Sequence, residues 1–159
     1  MNNLQLTQAP VAKAAMLIRR PVAEVFEAFI DPAITTRFWF TKSTGRLDPG
    51  KHVTWTWEMY NVSAEVDVRA IEPNKRILID WGNYDEMTTV EWTFTPYGDG
   101  ATYVTIITSG FKGDGDKVVS EAVDSTGGFT WVLAGLKALL EHNIELKLIE
   151  DAFPKKLSG

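Results

Sequence analysis

Four tryptophans occupy alternating positions in short apolar segments, where their rings could form one wall of a binding cavity. Trp55 and Trp57 lie two residues apart in the stretch KHVTWTWEMY, and Trp81 and Trp92 belong to similar alternating stretches. Side chains two apart on a strand point to the same face of its sheet. An indole combines a large apolar surface with one N–H donor, so these rings can hold and orient an apolar or planar molecule. They could equally fill a core, where each buried ring contributes about 1.5–3 kcal/mol.

The inward face predicted from this alternation continues through Phe94 and Thr108. Thr108 is the polar residue on that face of the last strand, and a strand threonine usually bonds a neighbouring group. Its hydroxyl would also serve as an anchor for a ligand. Opposite this face we expect the apolar stripe of the longest helical segment, which includes Phe129, Leu133 and Leu136. A small hydrophobic or aromatic molecule held between sheet and helix is the leading functional hypothesis.

Other kinds of site lack the residue patterns that they need. His52 and His142 are the only histidines, cysteine is absent, and no third ligand stands at metal spacing, so we expect no metal site. The glycine-rich stretches GDGA and KGDGD do not match a phosphate-binding loop, and no GxSxG motif is present. The sequence therefore predicts neither a catalytic residue nor a cofactor.

The composition is typical of one compact acidic domain. The 159 residues are 45% hydrophobic and 23% charged, enough to bury a core, and the formal net charge is -5. An acidic chain without clustered lysine and arginine is not expected to bind nucleic acid or an anionic membrane. No leader-like segment and no apolar run of about 18 residues occurs, so we expect a cytoplasmic protein.

Periodicity predicts the elements that would position these side chains. Residues 12–19 alternate as a first strand, and two short helices follow, the second beginning at Pro32 with Asp31 as its cap. From residue 45 to residue 109, apolar residues recur at every second position between turn signals, which indicates an antiparallel meander. A long helix follows within residues 117–143, and residues 143–159 are predicted to be an extended tail.

Three glycines interrupt the long helix, at Gly127, Gly128 and Gly135. Each weakens a helix by up to about 1 kcal/mol relative to alanine. We expect them to mark a kink or a close approach to the sheet. The helix that faces the tryptophans would lack side chains at these positions.

The order of these elements and their motifs resembles the helix-grip fold of the START-like (SRPBCC) superfamily, which includes polyketide cyclases, birch-pollen-type allergens and lipid-transfer domains. The matching pieces extend over residues 12–142 and include RRPVAEVFEAFIDPAITTRFWF, RLDPGKHVTWTWEM and GGFTWVLAGLKALLEH. Within the superfamily, the chain is most similar to the branch named for activators of the heat-shock-protein-90 ATPase. The resemblance implies an α+β fold, in which a curved antiparallel sheet of about six to seven strands wraps around the C-terminal helix. It implies one such domain over residues 1–159.

In this fold the second short helix borders the cavity entrance, so Trp39 would be a gate at the mouth or a packing residue under the long helix. The superfamily uses its cavity for binding, transport and catalysis, and the fold does not decide among them. Two alternatives therefore stay open. One is a co-chaperone that contacts its chaperone through the outer surface or the tail. The other is a polyketide cyclase-like enzyme in which Thr108 or a tryptophan orients the substrate. Homodimerisation through sheet edges or the tail is also left open.

Overall fold

The structure, a computed structural model, describes residues 4–155 and contains one antiparallel sheet and four α-helices in that range. The strands are β1 (Ala12–Ile18), β2 (Lys42–Ser43), β3 (His52–Trp57), β4 (Val62–Glu72), β5 (Arg76–Gly82), β6 (Thr88–Tyr97) and β7 (Ala101–Ser109). The helices are α1 (Val22–Ile30), α2 (Pro32–Thr35), α3 (Gly115–His142) and α4 (Leu148–Ala152). No helix within residues 4–155 combines the length and the apolar character needed to span a bilayer.

The sheet has seven strands in the described part of the chain, in the order β1-β7-β6-β5-β4-β3-β2. Every neighbouring pair is antiparallel, as the meander pattern predicted. The alternating apolar residues all point to the side on which α1 and α3 lie, because they join the helices in one hydrophobic core. The α+β helix-grip architecture expected from the sequence is therefore confirmed.

The two short helices close one end of the curved sheet. Val25, Phe26 and Phe29 of α1 are buried, in keeping with their helical spacing. α2 begins at Pro32, and the Asp31 carboxylate accepts a hydrogen bond from Ala33 N at 3.0 Å, which confirms the predicted cap. These helices bring the segment Phe38–Trp39–Phe40 into the core, where all three rings are buried.

The long helix α3 lies across the inner face of the sheet. It starts where the Asp114 carboxylate accepts a hydrogen bond from Lys117 N at 3.0 Å, and it ends at Asn143, whose φ of 55° is left-handed. Near that end the Glu141 carboxylate accepts hydrogen bonds from Arg19 N (2.8 Å) and Lys137 Nζ (2.6 Å). Burial alone would raise the pKa of Glu141, but these two hydrogen bonds outweigh it and lower the pKa. The helix end is thereby fixed to the residue that follows β1.

The prediction of an extended tail after residue 143 is wrong in part. Residues 148–152 form α4, and Ile149 packs against the core. The Tyr60 hydroxyl lies 2.8 Å from Phe153 O and 3.2 Å from Ile149 O, so it donates to the carbonyl end of this helix. Ile144 and Leu146, which suggested alternation, are exposed. The apolar residues of LIEDAF are instead spaced as in a helix. Residues 156–159 lie outside the described range.

A charged row on the outer face of the sheet is centred on His52. His52 is paired across the strands with Asp67, and Asp67 is paired with Asp80. His52 Nδ1 lies 2.7 Å from Asp67 Oδ1, and Nε2 lies 2.5 Å from Glu65 Oε2. The hydrogen bonds to Asp67 and Glu65 raise the pKa of His52 above its ordinary value. The resulting imidazolium offsets the repulsion between Asp67 and Asp80, with Arg69 pairing to Asp80 at 3.5 Å.

The charge on His52 predicts a pH-dependent contribution to stability. Because the folded-state pKa is raised above the unfolded value of about 6.5, this contribution is fully present below about pH 6.5 and is lost as the pH rises through the folded pKa. We expect His52→Gln to lower the free energy of unfolding by about 0.5–1 kcal/mol at about pH 6 and by less at about pH 9. Urea denaturation at both pH values measures it. Lys13→Gln, which removes an exposed positive charge from β1, is the control. A deficit that grows toward high pH would contradict the interpretation.

Candidate ligand cavity

A cavity of about 280 Å³ opens between the inner face of the sheet, the middle of α3 and α4. This volume is near the lower limit of ligand pockets, which run from about 300 to 1,000 Å³. Its walls are mainly aromatic and aliphatic. The lining residues are Trp39, Trp57, Trp81, Asp124, Ser125, Gly128, Phe129, Val132 and Ile149. The cavity therefore has the size of a small, ring-shaped or branched molecule.

Each aromatic wall residue is placed by a different element. Trp57 ends β3 and Trp81 belongs to β5, so both point inward from the sheet and remain half-buried. Phe129 faces them from α3, and Trp39 follows α2. The ring centroids of Trp39, Trp81 and Phe129 are 5.6–5.8 Å apart, within contact range of one another. Packing against one another fixes these three rings before any ligand arrives.

Trp55, Trp92 and Phe94 stand behind this wall, in the packed core. Trp55 is 1% exposed and stacks on Phe40 with centroids 4.6 Å apart and an interplanar angle of 16°. Trp92 is 1% exposed, and Phe94 is buried against Phe29. Trp55 and Trp92 contact Trp39 and so support the lining rings from behind, whereas Phe94 packs against Phe26 and Phe29 of α1. A contact between any of the three and a ligand stays a prediction.

The predicted site residues of α3 also divide into one that lines the cavity and two that belong to the packed core. Phe129 lines the cavity, whereas Leu133 and Leu136 are fully buried one and two turns further along α3. Sequence reasoning missed Asp124 and Ser125, which lie on the same helix face as Gly128 and Phe129 at spacings of three and four residues. This helical spacing is the sequence signal from which Asp124 and Ser125 could have been predicted as lining residues. Ile149 was missed because its segment was taken for an extended tail.

Two buried polar atoms, Trp92 Nε1 and Thr108 Oγ1, lack a hydrogen-bond partner among the described residues. The expectation that the Thr108 hydroxyl bonds a neighbouring group is thus not met within residues 4–155. A buried polar atom without a partner costs about 1–3 kcal/mol. Thr108 does not line the 280 Å³ cavity, so its role as an anchor stays a prediction.

The acidic surface near the cavity mouth includes α4. Glu150 and Asp151 directly follow Ile149, which lines the cavity. Burial and the negative charges of these two carboxylates raise the pKa of Tyr60, whose hydroxyl donates to the Ile149 and Phe153 carbonyls. The phenol therefore stays protonated and able to hold α4 in place.

A larger groove of about 1180 Å³ lies elsewhere, between residues 4–10 and the first turns of α3. Segment 4–10 forms no helix or strand, and most of it is exposed. Leu6 reaches Gly115, and the polar side chains of the groove, such as Gln5, Gln8 and Asp116, belong to this exposed segment and to the first turn of α3. The aromatic cavity is the better candidate because several rings converge on it and are fixed by packing against one another.

The sequence profile of one protein family covers most of the core just described. The family is described as "Activator of Hsp90 ATPase homolog 1-like protein", and its profile matches residues 19–141. The chain belongs to this family. Its helix-grip architecture is that of the START-like superfamily, as the sequence motifs indicated.

Solved structures share the fold of this activator-like chain. A protein from Staphylococcus saprophyticus is 28% identical, with a TM-score of 0.75 over 87% of this chain and 96% of that chain. The Aha1 dimer from Colwellia psychrerythraea is 14% identical, with a TM-score of 0.72 over 84% and 97%. DynU16, a putative protein in the dynemicin biosynthetic locus, is 22% identical, with a TM-score of 0.74 over 85% and 48%. At these identities the last two support the fold alone. No curated protein sequence is significantly similar to the chain.

The activator-like match ends at residue 141, before α4. All the cavity residues of the sheet and of α3 lie inside the match, whereas Ile149 lies outside it. The wall that α4 adds, and its attachment through Tyr60, therefore depend on sequence beyond the family profile.

Proposed function

We propose that this activator-like protein binds a small hydrophobic or aromatic molecule in the 280 Å³ cavity between its sheet and α3. The observation that carries the proposal is the combination of Trp57 and Trp81, both half-buried, with Trp39 and Phe129 around one opening. Partial exposure of a single tryptophan is ordinary, but several large rings around one concave opening are typical of a ligand site. Here four rings converge on unfilled space.

The cavity is better suited to binding than to catalysis. Asp124 is the one titratable residue among the described residues that line it, and it is exposed. General acid–base work usually needs a second group held against the substrate. The cyclase-like alternative is supported only by structural likeness to proteins such as DynU16, and that likeness establishes the fold.

Native mass spectrometry of gently purified protein, combined with NMR titrations, tests the binding proposal. We expect a stoichiometric small-molecule adduct, or saturable shifts of the indole N–H signals of Trp39, Trp57 and Trp81 when small aromatic probes are added. Trp57→Ala and Trp81→Ala should each weaken probe binding at least about fivefold, through lost ring contact. Tyr103→Ala, an exposed ring on β7, is the control. If no neutral or charged probe shifts these signals, the proposal is wrong.

The second candidate function is interaction with the chaperone Hsp90. The family description supports this candidate, since it names an activator of the Hsp90 ATPase. The Aha1 structure from Colwellia psychrerythraea, described as a dimer, shares the fold. A purified Hsp90 ATPase assay with and without this protein tests it. Stimulation would support a co-chaperone role. An unchanged rate with no detectable complex would remove that role and leave ligand binding unaffected.

A further inference from the structure

We propose that the aromatic cavity selects a small organic cation, with a quaternary or delocalised positive charge, over neutral and anionic molecules of the same shape. This inference rests on the proposed function, because it assigns a ligand class to the same cavity. It depends on the ring faces in the walls, the carboxylate at the rim, and the lack of a basic side chain among the described lining residues.

The walls supply the ring faces that attract a desolvated cation. Three of them are indoles, whose faces bind cations more strongly than those of phenylalanine or tyrosine. Trp57 and Trp81, the half-buried rings of the wall, have centroids 6.2 Å apart, so a charge resting against this wall can lie within about 6 Å of both. A neutral molecule of the same shape gains the apolar and ring-packing contacts but not this electrostatic attraction.

Asp124 places a negative charge at the rim of the cavity. It is exposed and lies on the face of α3 that carries Gly128 and Phe129. The two lysines of α3 pair with other carboxylates, Lys117 with Glu86 and Glu121, and Lys137 with Glu141. The charge of Asp124 is therefore not compensated by its own helix.

The surroundings reinforce this negative potential. Glu150 and Asp151 follow the lining residue Ile149 on α4, and the whole chain has a formal net charge of -5. Two basic groups, Arg37 and Lys147, line an adjoining pocket of about 90 Å³ that shares Trp39 and Ile149 with the cavity, and the carboxylates of Glu145 and Glu150 lie in the same pocket. Arg37 donates there to Glu145 at 3.3 Å. A cation approaching the aromatic cavity is thus attracted, and an anion is repelled.

The scarcity of hydrogen-bonding groups decides which kind of cation fits. Apart from Asp124, Ser125 is the polar side chain of the described lining. A primary ammonium is strongly hydrated and would lose hydrogen bonds that these walls do not replace. A quaternary nitrogen or a flat aromatic cation donates no such bonds, so it enters the cavity without that loss.

An isosteric cation and neutral molecule, together with a para-carboxylated anion of the same core, test the charge preference directly. Phenyltrimethylammonium, the neutral tert-butylbenzene and the anionic 4-tert-butylbenzoate are titrated while the indole N–H signals of Trp39, Trp57 and Trp81 are followed by NMR. We expect the cation to bind at least about fivefold more tightly than the neutral isostere, which corresponds to about 1 kcal/mol. Asp124→Asn should remove about half of that preference or more. Asp99→Asn, in the exposed turn after β6, changes the net charge equally and should leave the preference intact.

The outcomes separate this inference from the proposed function. If the neutral probe binds as tightly as the cation and shifts the same indole signals, the cavity binds ligands and the charge preference is wrong. If Asp99→Asn weakens cation binding as much as Asp124→Asn, the preference comes from net charge and the rim assignment is wrong. If none of the three probes shifts the indole signals, both the inference and the proposed function fail.

Discussion

Replacing Trp55 with alanine is expected to lower the free energy of unfolding by about 3–5 kcal/mol. Trp55 is 1% exposed, stacks on Phe40 and lies 4.8 Å from Trp39 between ring centroids. Its removal leaves a void that the β3 backbone cannot close, because Val53 and Trp57 on either side have their own contacts in the core. Far-UV circular dichroism during urea denaturation measures the change without depending on tryptophan fluorescence.

Trp57, two residues along the same strand face, is the matched comparison. It is half-buried and lines the cavity, so Trp57→Ala is expected to cost only about 1 kcal/mol. Trp55→Phe keeps most of the ring volume and should unfold between wild type and Trp55→Ala, which keeps the comparison interpretable if the alanine variant does not fold. If Trp57→Ala and Trp55→Ala lower the free energy of unfolding equally, Trp57 is packed as tightly as Trp55 and does not line a cavity.

The sequence was sufficient to predict the order of the main elements up to α3 and the face that the strands of the meander bury. Alternation dominates β3 to β7 because one face of the sheet is covered and the other carries charges such as Asp80 and Glu91, although a register shift interrupts it between Val68 and Ala70. Asp31 and Pro32 marked the start of α2 by local chemistry alone. Strand alternation and helix capping depend on residues close together in the chain, so a single sequence is enough to detect them.

Which inward residues border a cavity could not be predicted from alternation. Trp55 and Trp57 have the same chemistry and point to the same side, but Trp55 is completely buried beneath Trp39 and Phe40, whereas Trp57 lines the cavity. The difference depends on where the helix crosses the sheet, which is a long-range property. α4 was missed for a related reason, since its three apolar residues gain a helical arrangement from contact with α3 and Tyr60.

The three helix glycines show the same limit. From the sequence alone we expected all three glycines to mark a kink or a close approach to the sheet. In the structure, a Cβ at Gly135 would lie 3.3 Å from Phe38 O, so Gly135 permits a close approach to the segment after α2 rather than to the sheet. A Cβ at Gly127 or Gly128 would meet no atom within 4 Å. Gly128 alone of the three lines the aromatic cavity.

Filling the cavity through Gly128 is therefore expected to abolish ligand binding without harming the fold. A leucine side chain at this position enters a space of about 280 Å³ that is walled by Trp81 and Phe129. We expect Gly128→Leu to weaken binding of phenyltrimethylammonium at least about tenfold, equivalent to about 1.4 kcal/mol. We also expect the free energy of unfolding to rise by about 1 kcal/mol, because leucine favours a helix more than glycine does.

Gly127→Leu separates occlusion from helix stabilisation. It makes the same substitution one residue earlier, at a position that does not line the cavity and has free space around it. Both variants should gain similar helix stability, measured by urea denaturation, whereas only Gly128→Leu should lose the saturable shifts of the Trp57 and Trp81 indole signals. Equal binding by Gly128→Leu and wild type would place the ligand outside this cavity. Equal loss in both variants would instead indicate that binding requires a flexible α3, since rigidity is the property that the two substitutions share.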